Sequence, residues 1–244
     1  MDVFLHAENW IALLTLTFLE IVLGIDNIIF ISIVSNKLPE SQQPKARNLG
    51  LLLALLLRVG LLLGITWIVT FTEPLFTVLD FEISGRDLIL LIGGLFLLAK
   101  STHEIHHKME GETKHESSQK SQSFIKVIVQ IVLLDMIFSF DSILTAIGLT
   151  EELILMIIAV IISIGVMMIF AKKISDFITK HPTLEILALS FLILIGFMLM
   201  VESLHYHVPK GYIYFAVFFS LIVEIINMRM RKNRKPVQLK KRMD

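Results

Sequence analysis

Seven blocks of almost unbroken apolar residues, separated by short polar links, run the length of this 244-residue chain. They cover residues 10–35, 48–71, 87–102, 124–148, 152–171, 184–204 and 211–228. A bilayer crossing takes about 20 mostly apolar residues in helical form, so each block predicts a transmembrane helix. Pro39 and Pro44 punctuate the first link, Pro74 the second, Pro182 the fifth and Pro209 the sixth, and proline marks where a helix stops. The longest link, residues 103–123, is rich in His, Glu, Lys, Ser and Gln and reads as a solvated loop. The predicted fold is an all-α integral membrane protein of about seven transmembrane helices. Residues 1–228 form its single transmembrane domain and residues 229–244 a basic cytoplasmic tail.

Composition agrees with that pattern. Hydrophobic residues make up 55% of the chain and charged ones 18%, with a mean hydropathy of +0.77. A soluble domain has about 45–50% and about 25%. With no cysteine, the chain has no disulfide, iron–sulfur ligand, thiolate zinc site or cysteine nucleophile. Residues 1–9 carry Asp2 and Glu8 but no Lys or Arg, and no small-x-small cleavage pattern follows the first block, so that block is expected to stay as a span. Seven spans put Arg86 and Lys210 on the side of the N-terminus and nineteen Lys and Arg residues on the other, with Arg58 left inside the second span. The positive-inside rule then predicts an outside N-terminus and a cytoplasmic C-terminus.

The chain also resembles itself. LEIVLGIDNII at 19–29 aligns with LDMIFSFDSIL at 134–144, so Glu20 falls on Asp135, Asp26 on Asp141, Asn27 on Ser142 and Thr15 on Gln130. A second match, at a different offset, sets GLFLLAKSTHEIHHK from Gly94 over GFMLMVESLHYHVPK from Gly196. Leu and Ile coincidences between apolar helices are cheap, but two carboxylates matching at one spacing are not. Two halves of three spans each, about 10–107 and 123–207, are therefore predicted, with a seventh helix at 211–228. An odd number of spans makes the repeats inverted, an arrangement of transporters whose sites lie near the midplane at the repeat interface.

Glu20, Asp26, Asp135 and Asp141 all fall inside apolar segments. An ionised carboxylate there costs about 3 kcal/mol on insertion scales, so such residues face a bundle interior or a water path and mark function. Together with Asn27 and Ser142, and with Gln130 as an auxiliary, they offer an all-oxygen site for a hard divalent cation such as Mn²⁺, Mg²⁺ or Ca²⁺. Repulsion within an empty site favours proton uptake, so exchange of protons for the cation is physically natural. Glu20 and Asp26 are six residues apart and out of register on one helix. Either each helix offers two faces or it is broken near Gly24 and Ser139; the break is the favoured expectation, and it would free carbonyls as ligands. Arg58 is a counter-ion or gate, and a purely structural polar network around it is the bland alternative. His103 and His107, four residues apart, are open to metal ligation or to a plain solvated helix end. The basic tail suits anionic lipid rather than nucleic acid. No catalytic motif is present, so an enzyme is not expected. A membrane scaffold remains the alternative to a transporter.

The segments LEIVLGIDNIIFIS at 19–32 and LLDMIFSFDSI at 133–143 resemble the TerC family of bacterial inner-membrane proteins. The likeness continues through GRDLILLIGGLFL, HPTLEILALSFLILIGF and HVPKGYIYFA, nearly the whole chain. It is similar to the short family form, without appended regulatory domains. The resemblance implies Mn²⁺ efflux and carries the acidic motif residues here as Glu20, Asp26, Asp135 and Asp141. The implied partners are the lipid bilayer and the transported ion, with no resident cofactor and with a homo-oligomer left open.

Overall fold

A computed structural model describes residues 6–78, 81–110, 123–150 and 152–231. The helices are α1 (Ala7–Ser35), α2 (Gln43–Leu63), α3 (Ile65–Thr70), α4 (Gly85–Glu110), α5 (Phe124–Ile147), α6 (Leu153–Lys180), α7 (Pro182–Ser203) and α8 (Lys210–Arg231). Two strands, β1 (Pro74–Val78) and β2 (Phe81–Ser84), lie between α3 and α4. All of these except α3 and the strands are long and apolar enough to cross a membrane, which makes seven spans among the described residues. Elements α1 to α7 belong to one compact unit ending at Val208, and α8 belongs to a second that begins at Pro209.

Local chemistry sets the boundaries. Pro44 opens α2 and Pro182 opens α7, positions where the missing N–H has no helical acceptor to lose. Ser84 and Asp87 cap α4 reciprocally. Asp87 Oδ2 accepts from Ser84 N at 2.9 Å and Ser84 Oγ at 2.6 Å, while Asp87 N donates back to Ser84 Oγ at 3.2 Å.

The structure corrects four expectations. The second apolar block is not one helix, because the chain turns at Gly64 between α2 and α3. The second link holds an antiparallel hairpin that pairs Phe76 with Ile83, Thr77 with Glu82 and Val78 with Phe81. Aromatic and β-branched residues favour this pairing, and Pro74 sits at the strand start, where no ladder donor is needed. α4 runs on to Glu110, so His103, His106 and His107 are helical rather than in a loop, and His115 lies outside the described residues. Finally, α1 and α5 pass Gly24 and Ser139 without a break. A Cβ on Gly24 would stand 2.5 Å from Met167 Sδ, so that glycine serves close approach of α6. Ser139 stays helical and spends its hydroxyl on a side chain.

Packing concentrates in a few pairs. α1 lies along α6, α2 along α5 and α6, α1 also against α5, and α4 along α7. The α4–α7 crossing rests on two glycines. A Cβ on Gly94 would meet the Gly196 carbonyl at 2.5 Å, and one on Gly196 would meet the Gly94 carbonyl at 2.9 Å. Without a solvent-driven hydrophobic effect between helices, such small-residue contacts are what hold membrane helices together. Leu16, Ile31, Leu51, Leu134, Leu155 and Ile164 fill the interior of this unit. Leu14, Phe18, Leu56, Ile92, Ile125, Ile169 and Phe197 point outward and form a surface that only lipid would solvate well. In the second unit, α8 exposes Tyr212, Phe215, Phe218, Phe219 and Ile226, with Phe215 stacked on Phe219.

Candidate functional site

The site begins with Arg58. It lies in the last third of α2, and its side chain is only 2% exposed. A buried guanidinium requires anionic partners, and two neighbouring helices provide them. Nη1 pairs with Glu20 Oε2 on α1. On the other edge, Nη2 donates to Asp135 Oδ1 on α5 at 2.9 Å, and Nε lies 3.2 and 3.4 Å from the two oxygens of the same carboxylate. One planar fork therefore holds two carboxylates, which a lysine could not do with this geometry.

Asp135 is the hub. Beyond Arg58, its Oδ1 accepts from Asn27 Nδ2 at 3.2 Å and its Oδ2 from Ser139 Oγ at 3.1 Å. Asn27 follows Glu20 by two turns of α1, so both reach the cluster from one helix face. Glu20, Asn27 and Asp135 are all buried. Residues from both predicted halves thus meet in one place: α1 and α2 on one side, α5 on the other.

The remaining predicted residues divide. Ser142 Oγ donates to the Ser139 carbonyl at 3.2 Å and stays on its own helix rather than joining the carboxylates. Gln130 Oε1 is buried and accepts no hydrogen bond from the described residues. Asp26 and Asp141 lie on the middle stretches of α1 and α5, but their side chains lie outside the described residues. Ser139 is the participant that spacing alone missed, having been assigned to a break. Its signal was present, since it follows Asp135 by four residues, one turn on the same face. Among the described residues no three His, Asp or Glu side chains are placed to hold a metal ion together. Arg58 occupies the position between Glu20 and Asp135 where a cation would gain most.

Along α1, α2, α5 and α6 the two sides of the cluster differ. Beside Glu20 is a cavity of ≈ 10 Å³, about one water in size, walled by Leu16, Leu62, Ile143, Ala146, Met156, Ala159 and Val160. All of these belong to the half that holds the start of α1 and the end of α2. On the other side of the cluster, α1, α2 and α6 carry buried polar groups. Arg47 Nη1 donates to Ser175 Oγ at 3.1 Å, Ser175 Oγ to Asn36 Oδ1 at 3.3 Å, and Asn36 Nδ2 to Thr179 Oγ1 at 2.8 Å. Ser32 and Ser35 are buried on α1 between this chain of contacts and Asn27.

The sequence matches the Integral membrane protein TerC family over residues 5–239. The chain belongs to the TerC family. It is 56% identical over 229 residues to the UPF0053 protein of Haemophilus influenzae, covering 93% of this chain and 97% of that one. It is also 56% identical over 225 residues to the UPF0053 inner membrane protein YgdQ of Escherichia coli K12, with 92% and 94% covered. The longer YoaE of the same organism is 49% identical over 234 residues, 96% of this chain but 45% of YoaE. No solved structure matches. YgdQ and YoaE are named inner membrane proteins, and seven apolar helices agree with a multi-pass protein of that membrane.

Proposed function

We propose that this TerC family protein exports a hard divalent cation, Mn²⁺ first, across the inner membrane in exchange for protons. One observation carries the reading: Glu20 and Asp135, from the two halves, converge on a single buried point and are held there by Arg58, a tethered internal cation. The carboxylates select hard ions, and Asn27 and Ser139 add neutral oxygens. Asp26 and Asp141, on the same two helices, complete the acidic set. In this state Arg58 fills the place of the cargo. Loading requires the guanidinium to swing away, and its return expels the ion.

Packing supports the inverted repeat that such a mechanism uses. If α1, α2 and α4 correspond to α5, α6 and α7, then the α1–α6 and α5–α2 contacts are mates, and Gly94 and Gly196 are matched residues touching each other. The polar half around Ser32, Ser35, Ser175 and Arg47 suits entry from the end that the charge asymmetry assigns to the cytoplasm. The apolar stretch around Leu16, Leu62 and Met156 suits a closed outer gate.

The test is uptake of radiolabelled Mn²⁺ into inverted membrane vesicles, with and without an acid lumen. Wild type takes up the ion and the acid lumen accelerates it, whereas Glu20→Gln, Asp135→Asn, Asp26→Asn and Asp141→Asn abolish uptake. Equal counts in wild type, variants and vesicles without the protein would remove manganese export. The scaffold alternative has its own support, because Arg58 already balances the cluster in a way a purely structural network would also use. A scaffold keeps its cellular phenotype when Glu20 and Asp135 are neutralised together, and a transporter loses it.

A further inference from the structure

At the C-terminal end of α4, His103 and His107 stand one turn apart with their Nε2 atoms 3.1 Å from each other. Both are exposed, and their rings meet edge-on at 89°. Two imidazoles bound to one ion at about 2.0–2.1 Å hold their nitrogens about 2.9 Å apart at a right angle and about 3.3 Å apart at a tetrahedral angle. The observed separation lies between these values, so an ion would need only a small adjustment of either ring. From this geometry we infer that His103 and His107 form a two-imidazole clamp for a late first-row divalent cation such as Zn²⁺, Ni²⁺ or Cu²⁺.

The surroundings favour this clamp. A rigid helix fixes the four-residue spacing, so little side-chain freedom is lost on binding. Without an ion, the same contact is a hydrogen bond from one ring N–H to the lone pair of the other; on binding, the donor ring passes that proton through water to its own Nδ1, so that both neutral rings present an Nε2 lone pair to the ion. Glu104, the acid next to His103 on the helix, is buried and ion-paired with Lys37 and Lys100, so it is engaged elsewhere. An open depression of ≈ 570 Å³ beside His103, lined by Leu98, Ala99, Thr102 and His106, gives water and ion access. Neutral imidazole favours Cu²⁺, Ni²⁺ and Zn²⁺ over Mn²⁺ and Mg²⁺, the reverse of a carboxylate site. The clamp is therefore distinct in chemistry and in place from the buried cluster, and it stands whether or not the chain transports manganese.

The experiment uses the full chain, carrying no histidine tag, in lipid nanodiscs. Cu²⁺ is titrated and followed by electron paramagnetic resonance, and Zn²⁺ and Mn²⁺ are used as competitors. Wild type gives a saturable signal whose nitrogen couplings report two equivalent imidazoles. His103→Gln and His107→Gln each weaken it at least about tenfold and leave one coupled nitrogen. His181→Gln, a half-buried histidine elsewhere, leaves it unchanged. Zn²⁺ displaces the copper and Mn²⁺ does not. The exposed positions keep the fold intact, which unchanged thermal unfolding verifies. Wild-type affinity in either clamp variant, or no saturable binding in the wild type, would overturn the proposal.

Discussion

Arg58 is the shared counter-charge of Glu20 and Asp135. Removing it leaves Glu20 and Asp135 buried with no cation between them, and breaking one partner of such a group costs about 3–5 kcal/mol. Arg58→Met is therefore expected to lower the unfolding midpoint of the detergent-solubilised protein steeply. The triple variant Glu20→Gln, Arg58→Met, Asp135→Asn should recover most of that loss, because a neutral, well-packed cluster has no charge to compensate, and it should still fail to move Mn²⁺. A triple variant that transports would disconnect the cluster from transport. At this scale the burial of Glu20 and Asp135 was legible, since ionisable residues in apolar runs stand out and their spacing recurs. That one arginine grips both was not, because position along a helix does not say which neighbouring helix it faces. Ser139 was misjudged for a related reason: a small polar residue reads equally as a break or as a donor, and only the nearby Asp135 oxygen decides.

At the scale of helices, glycine positions separate structural contact from lipid exposure. Gly94→Ala would drive a Cβ into the backbone carbonyl of Gly196, which cannot move alone, and overpacking of this kind costs roughly 1–3 kcal/mol. Gly60→Ala and Gly165→Ala meet nothing within 4 Å and should gain up to about 1 kcal/mol from helix propensity. Gly24→Ala falls between them, because its neighbour is the flexible end of Met167. Unfolding of the four variants in mixed micelles orders them, and a neutral Gly94→Ala would refute the tight α4–α7 crossing. The seven spans were readable because a run of 20 apolar residues has few other solutions. The hairpin was not. PLFTV and FEIS are too short to outweigh the proline beside them, and the pairing that makes them strands is made between two separate segments. The expected helix breaks failed because the glycine and serine that motivated them serve packing and hydrogen bonding instead.

Orientation belongs to the whole molecule, and it carries the direction of transport. Charge asymmetry alone assigns the hairpin to the outside and the end of α4 to the cytoplasm. α4 has 26 residues, about 39 Å of helix, so its two ends stand on opposite sides of a hydrocarbon core about 30 Å thick. The chain has no cysteine, so single cysteines report their side without background. Thr77 in the hairpin and Met109 near the end of α4 are both exposed. Thr77→Cys is expected to react with a membrane-impermeant maleimide on intact spheroplasts, and Met109→Cys only after permeabilisation. The reverse pattern would turn the bundle over. The polar half around Arg47 and Ser175 would then face outward, and the same site, with the same ions, would serve uptake instead of efflux. Labelling of both positions from one side would remove α4 as a span, and with it the inverted three-span repeats on which the mechanism rests.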